Sequence, residues 1–261
     1  MSETINQSKH YYGRSQSQFG DLCIPVQSKK EKLPIVVTIH GGFWLNQYGL
    51  EELNPICTNL NQLDFVTWNI EYRRLGELDG GFPGTYNDVI NGINFVKKLA
   101  ERYPIDISRV ILMGHSAGGH LALWSTATIF NQSLKNDTKS ISLEIAPTLV
   151  VSLAGISILE DAKKRFETKE GPNLVTNIIG SSDINSVSPN KLLPLGIPII
   201  MVHGLDDADV DPKMTKKFGS EAENLGDDVS YVIMESANHF DLIDPKTHIW
   251  KSTIATIRNK I

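Results

Sequence analysis

Residues 109–124 read RVILMGHSAGGHLALW, and inside them Gly114-His115-Ser116-Ala117-Gly118 fits the pattern G-x-S-x-G. An apolar run ends at Met113 and a helix-compatible run follows at once. A serine on so sharp a strand-to-helix turn needs glycine two before and two after, because larger side chains there would collide. The turn leaves the hydroxyl exposed at its tip, beside the positive end of a helix dipole. The chemistry this offers is nucleophilic attack on a carbonyl carbon. Two phosphate-binding alternatives fail on spacing. A Walker A loop would need lysine where His120 follows Gly119, and a dinucleotide fingerprint needs G-x-G-x-x-G.

A serine at its free pKa is a poor nucleophile, so a histidine must take its proton and a third group must hold that histidine. The chain has seven histidines. His40, His115 and His120 sit on or near two glycine turns, where packing or hydrogen bonding to backbone is expected. His10 falls in a polar leader and His248 in the last helix, both expected to be exposed. His203 ends a strand. His239, in ESANHFDLIDP, lies between the last strand and the last helix and is the candidate base. The acid comes from VHGLDDADVDP, which offers Asp206, Asp207, Asp209 and Asp211. Three of these alternate like the start of a calcium loop, but an EF-hand needs glycine at its sixth position and glutamate at its twelfth. Counted from Asp207, those places hold Pro212 and Phe218.

Such residues need a scaffold that brings strand ends together. Short apolar runs alternate with longer amphipathic ones, the pattern of a mostly parallel sheet covered by helices. Strands are expected at 34–39, 65–70, 109–113, 148–153, 197–202 and 229–234, with an antiparallel edge near 21–25. Helices are expected at 50–60, 86–102, 117–130, 212–225 and 247–259. All candidate site residues then fall at the carboxyl ends of strands, where open α/β sheets place their sites. Residues 1–20 read as a polar leader and 21–261 as a single domain. About forty residues separate the strand ending near Leu153 from the one starting at Ile197. A connection that long suits a cap-like insertion over a site, at about 156–190.

Composition narrows the function classes. Hydrophobic residues make up 41% of the 261 and the formal net charge is -5, with no basic stripe to attract nucleic acid. The most apolar stretch, 146–159, is too short to span a bilayer. The N-terminal stretch has no apolar signal region. Cys23 and Cys57 form neither a disulfide framework nor a familiar metal cluster, so reduced thiols in the cytoplasm are expected.

Taken jointly and in order, HGGFW, EYRR, FPGTYNDV, GHSAGGHLA, VSPNKLLP, HGLDD and NHFDLIDP resemble the α/β-hydrolases, in particular the esterase/lipase and kynurenine formamidase-like branch with its H-G-G-x-W motif. The order serine, acid, histidine agrees with that superfamily and with neither chymotrypsin nor subtilisin. The resemblance implies an α/β-hydrolase fold, a mostly parallel central sheet with helices on both faces and a small cap insertion. It selects Asp207, the fifth residue of H-G-x-x-D, over Asp206 to join Ser116 and His239. It also implies oxyanion donors at the Gly42 and Phe43 amides beside that of Ala117, with Gly41 as a substitute. His40 is expected to brace that turn and Trp44 to anchor it. Arg73 and Asp88 are read as an ion pair beneath the site, and Trp124 as core. Phe43, Tyr48 and Phe240 are candidates for an aromatic wall around substrate.

The expected function is hydrolysis of small carboxylic esters through an acyl-enzyme, needing no metal or organic cofactor. The alternative is an arylformamidase acting on N-formylkynurenine. A non-catalytic binding protein of the same fold is the reading from a different class. The expected partner is a small-molecule ester or formamide, not nucleic acid or membrane, and a homodimer stays open.

Overall fold

The computed structural model describes residues 6–26, 28, 30–130, 142–167 and 172–261. Eight strands form one sheet: β1 (Asn6–Tyr11), β2 (Phe19–Ile24), β3 (Leu33–Ile39), β4 (Val66–Ile70), β5 (Ile105–His115), β6 (Leu149–Leu153), β7 (Ile199–Gly204) and β8 (Val229–Met234). Their spatial order is β1-β2-β4-β3-β5-β6-β7-β8. Pairings from β4 to β8 are parallel, and β2 joins β4 antiparallel.

The central strands are buried on both faces, as strands covered by helices must be. In β3 the two-residue period sends Ile35, Val37 and Ile39 into one core and Val36 into the other. The first core takes α2 (Gly84–Asn94), α3 (Val96–Ala100), α4 (Ala117–Phe130) and, beyond the insertion helices, the helix Pro212–Asn224. The second takes α1 (Asn54–Gln62) and the last helix, His248–Arg258. The mostly parallel sheet covered by helices is what the sequence pattern predicts, and the α/β-hydrolase arrangement is what the resemblance implies.

Two expectations are corrected. Part of the polar leader is structure: Asn6–Tyr11 pairs antiparallel with Phe19–Ile24, so 21–25 lies inside the edge and the sheet begins upstream of residue 21. A polar edge strand exposed along much of its length carries no hydrophobic period to betray it. The third strand in the expected list, 109–113, extends to Ile105–His115, with a register shift opposite Pro34/Ile35. Its exposed Ile107 and Ser108 break the apolar run.

Among the described residues, three short α-helices lie between β6 and β7: α5 (Leu159–Phe166), α6 (Leu174–Ile179) and α7 (Ile184–Val187). Residues 1–5 of the expected leader and 168–171 of the expected insertion fall outside the described residues. The remaining helices are then α8 (Pro212–Asn224) and α9 (His248–Arg258). Asp211 and Thr247 start them by accepting the amides of Lys213 and Trp250, supplying acceptors for N–H groups that a first turn leaves unpaired.

Candidate active site

Ser116 stands between β5 and α4 with φ +54, a left-handed conformation that a side chain adopts only when its surroundings impose it. Its amide donates to Leu153 O at 2.8 Å, and its carbonyl accepts the amides of Gly119 and Ile156. The spacing of the glycines is steric: a Cβ on Gly114 would lie 2.1 Å from the Gly118 carbonyl oxygen. Ser116 is 2% exposed, so the residue expected at an exposed tip is instead covered, by the turn after β3 that crosses over it.

The structure brings Asp207 and His239 together. His239 Nδ1 donates to Asp207 Oδ2 at 2.7 Å, while Asp207 Oδ1 accepts the amides of Asp209 and Val210, each at 2.9 Å. His203 also reaches Oδ2, its Nε2 lying 3.1 Å away. Burial raises the Asp207 pKa, but hydrogen bonds from His203, His239 and the Val210 amide outweigh it and hold the carboxyl far below the ordinary carboxylate range. Asp206 is exposed, and its own amide donates to Ala237 O. His203 was expected only to end a strand. Its role as a second donor to Asp207 depends on a contact four residues along the chain that spacing alone does not announce.

His239 reaches the serine turn through His115, whose ring centroid lies 4.5 Å from its own. No hydrogen bond joins Ser116 Oγ to His239 among the described residues. Catalytic bonds often tighten only once substrate is bound.

The turn after β3 carries three successive left-handed residues, Gly42 (φ +87), Phe43 (φ +53) and Trp44 (φ +59). Trp44 is fully buried, and its carbonyl accepts the Leu75 amide at 2.8 Å. A Cβ on Gly41 would lie 3.0 Å from Ser116 Cβ, so the turn crosses directly over the serine. Among the described residues no protein acceptor engages the amides of Gly42, Phe43 or Ala117. The Gly41 amide donates to Glu52 Oε2 at 3.0 Å, which removes it as a substitute donor.

Two His–Glu pairs support this turn. His40 donates from Nε2 to Glu71 Oε1 at 2.8 Å, its Nδ1 lies 3.0 Å from Gly41 O, and its ring stacks on Tyr72. Glu71 also accepts the Leu50 and Tyr72 amides and pairs with Arg74. His115 donates from Nδ1 to Glu52 Oε1 at 2.7 Å and from Nε2 to the His239 carbonyl at 3.1 Å. Burial works against the Glu52 charge, but the His115 hydrogen bond and the Gly41 amide hold its pKa below the ordinary value. Beneath the turns, Arg73 grips the buried Asp88 through Nε and Nη2, both at 2.7 Å, as expected of that pair.

The insertion touches the turn after β3, the acidic loop after β7 and α4. Phe166 packs edge-on against Phe43, with centroids 5.4 Å apart, and Arg165 donates to the Ala208 and Asp209 carbonyls. His120 Nε2 and Trp124 Nε1, both on α4, donate to the carbonyls of Val187 and Ser186. Burial lowers the His120 pKa to about 4, so its ring is neutral near pH 7. Tyr48 and Phe240 stand 43% and 59% exposed at the rim, while Trp124 is core.

Asp207, Asp209 and His239 each offer one donor atom within 4.8 Å of one another, a spacing that could hold a cation. Both Asp207 oxygens and His239 Nδ1 already engage one another or backbone amides, so a cation there would break the Asp207–His239 bond.

Comparison with solved structures supports the fold. Esterase B from Lactobacillus rhamnosis superposes with a TM-score of 0.86 at 17% identity, covering 98% of this chain and 86% of that one. A truncated carbohydrate esterase from gut microbiota gives 0.80 at 19%, covering 100% and 98%. In sequence, the probable isoprenylcysteine alpha-carbonyl methylesterase ICMEL1 of Arabidopsis thaliana is 25% identical over 88% of this chain and 50% of its own length. The versiconal hemiacetal acetate esterase of Aspergillus parasiticus is 28% identical over 49% of this chain and 36% of its own. The chain spans about half the length of the first curated relatives it matches. No described helix is long and apolar enough to cross a membrane. The family model described as BD-FAE matches residues 21–221 and its span takes in the glycine turn after β3, Ser116 and Asp207, so the chain belongs to the BD-FAE family of α/β-hydrolase-fold proteins.

Proposed function

We propose that the chain is a serine hydrolase of small carboxylic esters, with Ser116 as nucleophile, His239 as base and Asp207 as the acid that orients it. The observation that carries the reading is the His239–Asp207 bond of 2.7 Å, its far oxygen fixed by two amides. Nδ1 then keeps its proton, and Nε2 presents a lone pair to the serine hydroxyl. As Ser116 attacks, negative charge builds on the carbonyl oxygen. The amides of Gly42, Phe43 and Ala117 meet it without reorganising, and each such donor is worth roughly 100- to 1,000-fold in turnover. His239 returns the proton to the leaving alcohol, then activates the water that hydrolyses the acyl-enzyme. No step draws on a metal or organic cofactor.

The two sequence relatives, named as a methylesterase and an acetate esterase, support esters with a small group on one side of the carbonyl. The Phe43–Phe166 contact beside the oxyanion turn supports the same size limit. Residence in the cytoplasm belongs to the reading, supported by two buried free thiols.

A fluorophosphonate should label the wild-type chain and leave Ser116→Ala unlabelled, and p-nitrophenyl acetate should be hydrolysed by the former only. An unlabelled wild type would overturn the proposal. A much higher kcat/KM on N-formylkynurenine than on any ester would replace it with the formamidase reading.

A further inference from the structure

Glu52 and His115 take no part in the chemical steps above, yet they stand where three loops of the site meet. We propose that they are positioning residues, tying the oxyanion turn, the nucleophile turn and the His239 loop into one rigid unit. The proposal rests on the ester-hydrolase reading.

Glu52 lies in the short 3-10 turn Leu50–Leu53 before α1, outside all three loops. Its two oxygens serve different loops: Oε2 takes the Gly41 amide at 3.0 Å and Oε1 takes His115 Nδ1 at 2.7 Å. His115 is the residue before the nucleophile, and its Nε2 holds the backbone carbonyl of His239 at 3.1 Å. A single chain of three hydrogen bonds therefore runs from the residue before Gly42 to the residue before Ser116, and on to His239 itself. His115 is 1% exposed at its side chain and Glu52 20%, so water competes little for these bonds. Each ring nitrogen of His115 faces an acceptor, a carboxylate at one end and a carbonyl at the other.

The second pair, His40–Glu71, differs in kind. Glu71 has Arg74 as a further partner and two amides of the neighbouring chain, a set that stabilises the base of the turn without reaching Ser116 or His239. The Glu52–His115 chain instead links the oxyanion turn directly to the loop that carries the base. The distance between the two matters in the transition state, when the oxygen is charged and the proton is on His239. Its loss should therefore lower kcat and leave KM unchanged.

The test uses the full chain, with p-nitrophenyl acetate as substrate and active sites counted by exhaustive fluorophosphonate titration. In Glu52→Ala, kcat per titrated site should fall about 100-fold, the scale of a misplacement of about 1 Å, with KM held within about threefold. Glu52→Gln keeps an acceptor for Gly41 and offers an amide N–H to His115 Nδ1, so it should recover most of that loss. Fewer titratable sites or a lower Tm, with kcat per site unchanged, would mark a merely structural pair and overturn the proposal. A Gln variant no faster than Ala would overturn it as well. Should Glu52→Ala not fold, His115→Ala, which removes two of the same three links, decides: kcat per site lowered at constant KM supports the tie, and a wild-type value overturns it. A wild type that neither labels nor turns over would overturn the hydrolase reading, and the tie with it.

Discussion

Replacing Asp207 with asparagine tests the proposed triad at its most constrained member. The Asp207 carboxylate receives two amides on Oδ1 and His239 on Oδ2. An asparagine has one acceptor and one donor to place in those positions. With its NH2 toward the amides of Asp209 and Val210, donors would face donors, and each buried group left unpaired would cost about 1–3 kcal/mol. The carbonyl must therefore take the amides, which turns the NH2 toward His239 Nδ1. Nδ1 then accepts, the ring proton moves to Nε2, and Nε2 can no longer take the proton of Ser116. The same NH2 would face His203 Nε2, which loses its acceptor at Oδ2 and keeps Val210 O at 3.1 Å.

The wrong tautomer with intact geometry lowers kcat by about 10,000-fold in the comparable serine-protease case. At about 1.4 kcal/mol per decade that is about 5 kcal/mol of transition-state stabilisation. Hydrolysis of p-nitrophenyl acetate, normalised to titrated sites, measures it. Asp206→Asn is the control, since Asp206 is exposed and only its backbone is bonded, and it should stay within about threefold. A loss below tenfold in Asp207→Asn, or a larger loss in the control, would refute the reasoning. Acid unfolding gives a second readout. The folded Asp207 pKa is depressed, so its stabilisation is complete above about pH 4 and is lost as pH falls from there toward the folded value. The Asn variant should lose stability less steeply over that range.

Two further variants separate the site from its scaffold. Gly42→Val puts a branched side chain at φ +87 with its Cβ 2.3 Å from Tyr48 Cβ, so the turn must move. The left-handed conformation alone costs about 1–2 kcal/mol, a Tm shift of roughly 2–8 °C, whereas displaced oxyanion donors should lower kcat at least about 100-fold. A wild-type kcat would exclude Gly42 from the oxyanion site. Asp88→Asn leaves the Arg73 guanidinium without its buried partner and should destabilise by about 3 kcal/mol. Thermal melts should show the loss while kcat per titrated site holds within about threefold; an unchanged Tm would show that the pair does not carry the loop.

Local sequence was sufficient for the parts built from neighbouring residues. The glycines around Ser116 are dictated by a clash within five residues, and the central strands by a two-residue period that buries both faces. The same locality explains the failure at Asn6–Tyr11. An edge strand with its side chains largely in water has no apolar pattern, and only its ladder with β2 makes it a strand. Choosing Asp207 over Asp206 needed a family resemblance first. In the structure the choice turns on burial, since one carboxylate points at His239 and its neighbour points at solvent.

Sequence by itself determined the chemistry on offer: a serine on a glycine turn, a histidine after the last strand and an acidic loop between them, in an order that one superfamily uses. It could not determine which groups hold those residues in register. Glu52 and His115 carry no local mark, because their partners lie in other loops brought close only when the sheet folds, and His203 meets Asp207 only through the shape of the loop after β7. Hydrogen bonds across such loops depend on ångström-scale distances between strand ends, and those distances belong to the packed sheet.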